Sequence, residues 1–179
     1  MYGIFRFLLS NFPFLKRRSK SLTMSRMRLC LIGSVICMGI MGYFSDFGKL
    51  DILDSHFPLW DRQSGPEILR DMGIEGRERY RRLNTVDFVF PLFYATLLAD
   101  LLKSRGYILG AYISIGAGLF DLMENSCIRI LLQGTPSDFK SIALDFGPTF
   151  TRLKWGFLSC ALILLAFSFI IPKRKLKGK

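Results

Sequence analysis

The sequence predicts an all-α integral membrane protein, with residues 1–179 forming a single four-helix membrane bundle. Three observations predict this class. Half of the 179 residues are hydrophobic, which is a larger share than a soluble domain of this length needs. Four stretches approach the roughly 20 apolar residues that an α-helix needs to cross a bilayer. The net charge of +11 is concentrated in two basic tails, residues 1–28 and 173–179, as is typical of cytoplasmic flanks of membrane helices.

The predicted spans follow one another with short turns or longer connections between them. They lie at about 29–46, 84–102, 107–132 and 153–172. The short KSRG segment between the second and third spans predicts an antiparallel hairpin. Four crossings place both tails on one side of the membrane, and tails with basic but no acidic residues predict that this side is cytoplasmic.

The connection at 48–83 is predicted to lie outside and to contain a short interfacial helix. Its segment SGPEILRDMG offers Ser64 as a helix cap, Pro66 in the first turn and Gly73 as a stop. The residues that follow Gly73 are expected to run straight into the second span.

The connection at 133–152 is predicted to hold a second interfacial helix on the same outer surface. Thr135 would cap it and Pro136 would begin it. Gly147 and Pro148 would end it, because glycine and proline commonly follow the last turn of a helix.

Several classes of site are excluded by the residue types available. The four cysteines all fall in apolar runs without a CxxC pair, and the chain has one histidine, so we expect no metal site and no cofactor. The positive charge lies in the tails and not on a continuous face. We therefore expect no nucleic-acid partner, and the partner that the sequence does predict is the lipid bilayer.

The third span carries polar residues on one face. At 100° per residue this stripe consists of Tyr107, Gly110, Ser114, Gly118, Asp121 and Asn125. Small residues at four-residue spacing allow another helix to approach closely, so the stripe is expected to contact protein. Glu124 and Arg129 lie at its two margins.

The second span has a matching stripe of Tyr80, Asn84, Asp87, Pro91 and Tyr94. Because proline has no N–H, Pro91 leaves the backbone carbonyl of Asp87 without its helical donor. In an antiparallel hairpin Pro91 comes level with Gly118, and Asp87 lies beside Asp121 and Asn125 in the outer half of the bundle.

An ionised side chain at the bilayer centre costs roughly 2.5–3.5 kcal/mol. Asp87, Asp121 and Glu124 have only Arg129 as an obvious cationic partner. The excess of acids therefore predicts a shared proton, a bound cation or a water-filled outer cavity. The alternative is a structural pin between the two helices, in which Arg129 pairs with Asp121 or Glu124 and Asn125 bridges them.

Three short motifs in residues 70–130 resemble a group of uncharacterised four-span membrane proteins. The motifs are GxxGRxxY at Gly73, Gly76, Arg77 and Tyr80, DxxFPxxY at Asp87, Phe90, Pro91 and Tyr94, and DxxEN at Asp121, Glu124 and Asn125. The resemblance implies a four-helix membrane fold and no particular activity. A looser architectural likeness is to sterol isomerase-type bundles, although the histidine that such isomerases use has no counterpart in the spans.

Three functions remain open from the sequence. The first is a binding protein whose cavity holds a small amphiphile or lipid head group. Its ligand-binding residues would be Asp87, Pro91, Tyr94, Asp121, Glu124, Asn125 and Arg129, with Tyr80 and Arg77 at the mouth. The second is an enzyme that uses Asp121 or Glu124 as an acid or base on a lipid-soluble substrate. The third is a structural subunit whose glycine faces, including Gly39 and Gly42, pack against a protein partner.

Overall fold

The computed structural model describes residues 13–46, 48–53, 60–134 and 142–170, with side chains from Thr23 onward. Across these residues the chain is all-helical and contains no β-strand, which confirms the predicted all-α class. Its described helices are α1 Pro13–Phe44, α2 Ser64–Asp71, α3 Gly73–Asp87, α4 Phe90–Ser104, α5 Ile108–Gln133 and α6 Ile142–Ile170.

Three helical stretches of the described chain are long and apolar enough to cross a membrane. They are Thr23–Phe44 in α1, Gly73–Ser104 across α3 and α4, and Ile142–Ile170 in α6. The fourth predicted span, α5, has 26 residues but is not among them, because Asp121, Glu124 and Arg129 reduce its apolar character. The helices are thus consistent with an integral membrane protein, and composition alone identifies three of the four predicted spans.

The helices pack around α5, which lies between α4 and α6, while α1 packs against α3 and α4. Helices α1 and α6 do not pack closely against each other. Arg26 of α1 forms an ion pair with Asp100 at the end of α4. Arg105 in the α4–α5 turn donates to the backbone carbonyl of Ser168, near the end of α6, at 3.1 Å. The Arg26 turn of α1 and the end of α6 therefore lie at the same end of the bundle.

Helices α3 and α4 are one rod with an interruption at Phe88 and Val89, just before Pro91. As predicted, Pro91 meets Gly118 of α5. A Cβ atom added to Gly118 would lie 2.7 Å from the Cβ of Ala95 and 3.4 Å from the carbonyl oxygen of Pro91. The absence of a side chain at Gly118 is therefore what allows α4 and α5 to approach here.

The short helix predicted in the 48–83 connection is confirmed as α2, although its cap is not Ser64. The Oδ1 atom of Asp61 accepts hydrogen bonds from the backbone N–H groups of Ser64 and Gln63, each at 2.8 Å. These hydrogen bonds favour the carboxylate and lower the pKa of Asp61 below its ordinary value. Gly73 ends α2 as predicted, with a φ angle of +66° that L side chains rarely adopt.

The predicted end of the second interfacial helix at Gly147 and Pro148 is wrong. Residues 135–141, including Thr135 and Pro136, lie outside the described residues, but α6 runs without a break from Ile142 to Ile170 with Pro148 inside it. Packing against the rest of the protein keeps the helix continuous through Pro148. The ring of Trp60 packs directly against Gly147, and Leu144 is buried in the same cluster. The last helix therefore begins well before the predicted boundary at 153.

Candidate functional site

A cavity of about 760 Å³ lies between α1, α4 and α6, with α5 behind it. Its size falls within the roughly 300–1,000 Å³ that small-molecule sites occupy. Its apolar walls include Met38, Met41, Phe90, Leu97, Leu98, Leu158 and Leu162. Its polar lining side chains are Ser34, Ser45, Asp87, Tyr94, Asp121 and Lys154. The cavity thus combines a charged region with an apolar one.

The cavity opens sideways, between α1 and α6. Met38 of α1 and Leu162 of α6 both line it, and their side chains are 59% and 48% exposed. These two helices do not pack closely against each other, so the cavity is accessible between them. The opening is flanked by apolar side chains.

An ion pair network forms the charged wall. The ammonium of Lys154 lies 3.3 Å from Oδ1 of Asp121 and also contacts the carboxylate of Glu124. The hydroxyl of Tyr94 donates to Oδ2 of Asp121 at 2.9 Å. The Glu124 side chain is fully buried, and those of Asp121 and Lys154 are 6% and 7% exposed. One buried cation therefore holds two carboxylates from successive turns of α5.

The network continues from Glu124 toward the connection at 48–83. The hydroxyl of Thr151 on α6 contacts Oε1 of Glu124, and it accepts a hydrogen bond from the indole N–H of Trp60 at 2.9 Å. Trp60 is itself buried between Gly65 and Gly147. Trp60 thereby links this connection to the charged cluster.

A second group of hydrogen bonds joins the rod of α3 and α4 to α5. The side-chain amide of Asn125 donates to the backbone carbonyl of Asp87 at 3.0 Å, which is the carbonyl that Pro91 leaves without a helical donor. The amide of Asn84 donates to the backbone and side-chain oxygens of Asn125, at 3.2 and 3.3 Å. The predicted convergence of the two polar stripes is therefore confirmed.

The predicted site residues divide by their position relative to the cavity. Asp87, Tyr94 and Asp121 line it. Pro91, Glu124 and Asn125 are buried beside those residues but are not part of the lining. The structure thus brings six of the predicted residues together, and their role in ligand binding remains a prediction.

The remaining three predicted residues lie elsewhere. Arg129 donates to the hydroxyl of Thr85 at 2.6 Å, so its expected pairing with Asp121 or Glu124 is wrong. It lies eight residues beyond Asp121, or about 12 Å along the helix axis. Tyr80 is buried in the hydrophobic core cluster.

Arg77 lies on the surface of α3 and donates to the backbone carbonyl of Gly73 at 3.3 Å. Neither Arg77 nor Tyr80 is among the residues that line the cavity.

Lys154 is the residue that sequence reasoning missed. The expectation that Arg129 is the only obvious cationic partner of the three acids is wrong, because Lys154 of α6 contacts both Asp121 and Glu124. The sequence did contain a signal. Lys154 lies inside the predicted span at 153–172, where an ionisable side chain is expected to have a partner or a function.

The chemistry of the site follows from these groups. A phenol, an ammonium and two carboxylates lie within contact of one another, which suits them to bind polar groups and to exchange protons. The indole of Trp155 adds an aromatic surface, with its ring centroid 5.6 Å from the Lys154 ammonium. Among the described residues no group of three or more histidine, cysteine, aspartate and glutamate side chains is placed to hold a metal ion.

Comparison with protein-family models, curated proteins and solved structures finds no match to this chain. The resemblance carried by the three motifs therefore stays a prediction, and a function has to be argued from the geometry of the cavity.

Proposed function

We propose that the chain is a four-span integral membrane protein whose cavity binds an amphiphile drawn from the bilayer. The polar end of the ligand would lie at Asp87, Asp121 and Lys154, and its apolar part along the leucines of α4 and α6. The observation that carries the proposal is that one cavity joins a buried charged wall to apolar walls and opens sideways through apolar side chains.

The burial of its polar residues supports α5 as the fourth span. Asp121, Glu124 and Asn125 are all buried and bond to side chains of α3, α4 and α6, so the two carboxylates of α5 do not face lipid. The exposed side of α5 instead carries large apolar side chains such as Leu119 and Met123, which are 57% and 45% exposed. A helix with this distribution can cross a bilayer as part of a bundle.

The orientation follows from charge. The Arg26 turn of α1 and the end of α6 lie at one end of the bundle, and the basic segments 1–28 and 173–179 adjoin these two points in the sequence. The positive-inside rule then favours a cytoplasmic position for this end. The cavity extends toward this end along Leu98 and Leu162, but its charged wall at Asp87, Asp121 and Lys154 lies nearer the other end and would be reached from the outer leaflet.

The arrangement favours a binding role over an enzymatic one. Asp121 and Glu124 share one ammonium and accept further hydrogen bonds from Tyr94 and Thr151. A carboxylate with these partners is well placed to bind a polar group of a ligand. Its oxygens are already engaged, however, which disfavours a role as a general base. The enzyme hypothesis and the structural-subunit hypothesis remain as alternatives.

The proposal is tested by filling the cavity. Leu97→Trp with Leu158→Trp adds bulk on two facing walls, and native mass spectrometry of the purified protein measures bound amphiphile. We expect the wild-type protein to retain an amphiphile and the double variant to lose it. The matched control is Leu92→Trp with Leu119→Trp, since both of these leucines are 57% exposed on the outside of the bundle and should leave the bound fraction unchanged.

Two results would count against the proposal. One is a wild-type protein that carries no amphiphile after gentle extraction and takes up none from added lipid. The other is equal retention in the cavity-filled and control variants, which would place the ligand on the outer surface of the bundle.

A further inference from the structure

We infer that the head group of the ligand is cationic, a long-chain amine or quaternary ammonium, and that the Asp87 carboxylate provides its counter-charge. This inference rests on the proposed function and names the class of ligand.

The first argument is the charge of the wall. Of the described residues that line the cavity, Asp87 and Asp121 are acidic and Lys154 is the basic one. Glu124 lies behind the cavity wall, in contact with Lys154, and adds a third carboxylate. The cluster therefore contains three acids and one base. The ammonium of Lys154 is already in contact with two of the carboxylates. An anionic head group would add to this excess of negative charge, whereas a cationic one reduces it.

The second argument is independent and comes from α1. Ser34 lines the same cavity and is 7% exposed, and its hydroxyl has no hydrogen-bond partner. Serines inside helices commonly donate to the carbonyl of the preceding turn, as Ser114 does to Gly110 at 2.9 Å. A buried hydroxyl without a partner is costly. Ser34 therefore offers an oxygen that can accept a hydrogen bond from a ligand N–H or receive a close contact from an N-methyl group.

The position of Ser34 agrees with this role. The neighbouring Gly33 packs against the ring of Phe93, which places this turn of α1 opposite the turn of α4 that carries Tyr94. Ser34 thus lines the cavity near the level of Tyr94, whose hydroxyl donates to Asp121 of the charged wall. A head group between the two would contact Ser34 on one side and the carboxylates on the other.

The third argument is the aromatic lining. Phe90, Tyr94 and Trp155 all contribute to the cavity, and the rings of Phe90 and Tyr94 pack with centroids 5.0 Å apart. Aromatic faces attract ammonium groups, and quaternary ammonium ligands are commonly bound in this way. One to two turns farther along α4 and α6, Leu97, Leu98, Leu158 and Leu162 provide the surface for an apolar chain.

The test compares three ligands that differ only at the head: dodecylamine, dodecanol and dodecanoate. Their affinities for the full-length protein in nanodiscs are measured by displacement of its bound amphiphile. We expect the amine to bind about 10- to 100-fold tighter than the alcohol, as a charge-assisted hydrogen bond provides, and the acid to bind most weakly.

Variants assign the preference to its residues. Asp87→Asn should abolish the advantage of the amine over the alcohol. Asp46→Asn, the same change at an exposed aspartate paired with Lys49, should preserve it. Ser34→Ala should weaken the amine several-fold, about the effect of one hydrogen bond, without altering the folded yield. If Asp87→Asn does not fold, the wild-type ranking and Ser34→Ala decide the question.

The outcomes separate this inference from the proposed function. Tightest binding of dodecanoate, or equal binding of all three ligands that the Leu97→Trp, Leu158→Trp variant abolishes, would leave an amphiphile site but overturn the cationic head group. Binding of none of the three above the level of the cavity-filled variant would overturn the proposed function itself.

Discussion

Replacing Lys154 with methionine tests the charged network most directly. The substitution keeps a long apolar side chain but removes the ammonium that contacts both Asp121 and Glu124. The Glu124 side chain is fully buried and that of Asp121 is 6% exposed, so water compensates poorly for the lost partner. Removing one member of a buried ion pair costs about 3–5 kcal/mol. We expect the free energy of unfolding to fall by an amount in this range.

A second substitution separates the loss of the pair from the loss of lysine packing. In Lys154→Met with Glu124→Gln, the carboxylate that lies deepest is neutral, so less uncompensated charge remains. The double variant should be more stable than the sum of the single effects predicts. The coupling free energy should lie within the range of about 0.5–3 kcal/mol that is measured for residues in contact.

The assay is reversible unfolding in mixed micelles with increasing sodium dodecyl sulfate, followed by the helical circular dichroism signal. Lys103→Met is the control, because Lys103 lies exposed near the end of α4 and should change stability by no more than about 0.5 kcal/mol. If Lys154→Met matches this control, or if the double variant is strictly additive, the ammonium does not bridge the two carboxylates and the reasoning is refuted.

Three further predictions concern the contact between α4 and α5 and the connection at 48–83. Gly118→Ala should destabilise by about 1–3 kcal/mol, because its new methyl group overlaps α4; Gly156→Ala, which meets nothing within 4 Å, should not, and the same unfolding titration compares them. Trp60→Phe should cost about 1 kcal/mol through the lost hydrogen bond to Thr151, and an unchanged unfolding midpoint would contradict this. Asp61→Ala should lower the unfolding temperature near neutral pH. Because folding lowers the Asp61 pKa, this difference from wild type should shrink as the pH falls through that pKa, and a constant difference would argue against the cap.

The sequence was sufficient to predict the contact between the second and third spans. Helical periodicity defined a polar face on each, and the short turn at Lys103–Gly106 fixed their register. Pro91 and Gly118 meet as predicted, and Asn125 reaches the carbonyl of Asp87. These contacts depend on local rules and on one short connection, which is why they could be derived without knowledge of the remaining helices.

The contribution of α6 could not be derived in the same way. Its approach to α5 depends on contacts with the connection at 48–83, where the packing of Trp60 against Gly147 keeps the helix continuous through Pro148. Helical periodicity places Lys154 on a face of α6 but does not say which helix that face meets. The same limit applies to Arg129, whose partner Thr85 lies on the rod of α3 and α4 and not in the acidic cluster.

The sequence left two alternatives for the polar residues, a structural pin between helices and a ligand site. In the structure, the polar contacts divide between these two alternatives. The hydrogen bonds from Asn84 to Asn125 and from Asn125 to the Asp87 backbone join α3 to α5 through two asparagines that do not line the cavity. They have the character of a pin. Tyr94, Asp121 and Lys154 instead form the cavity wall.

A buried ion pair is weak evidence for stability, since well-packed apolar residues can often replace one without loss. Stability alone is therefore a weak reason for the charges of Asp121 and Lys154 to lie on a cavity wall, and binding of a polar head group is a stronger one. The asparagine contacts join α3 to α5, whereas Lys154 joins α6 to α5. In the proposed function Asp87 belongs to both groups, since its backbone carbonyl accepts a hydrogen bond from Asn125 and the residue also lines the cavity.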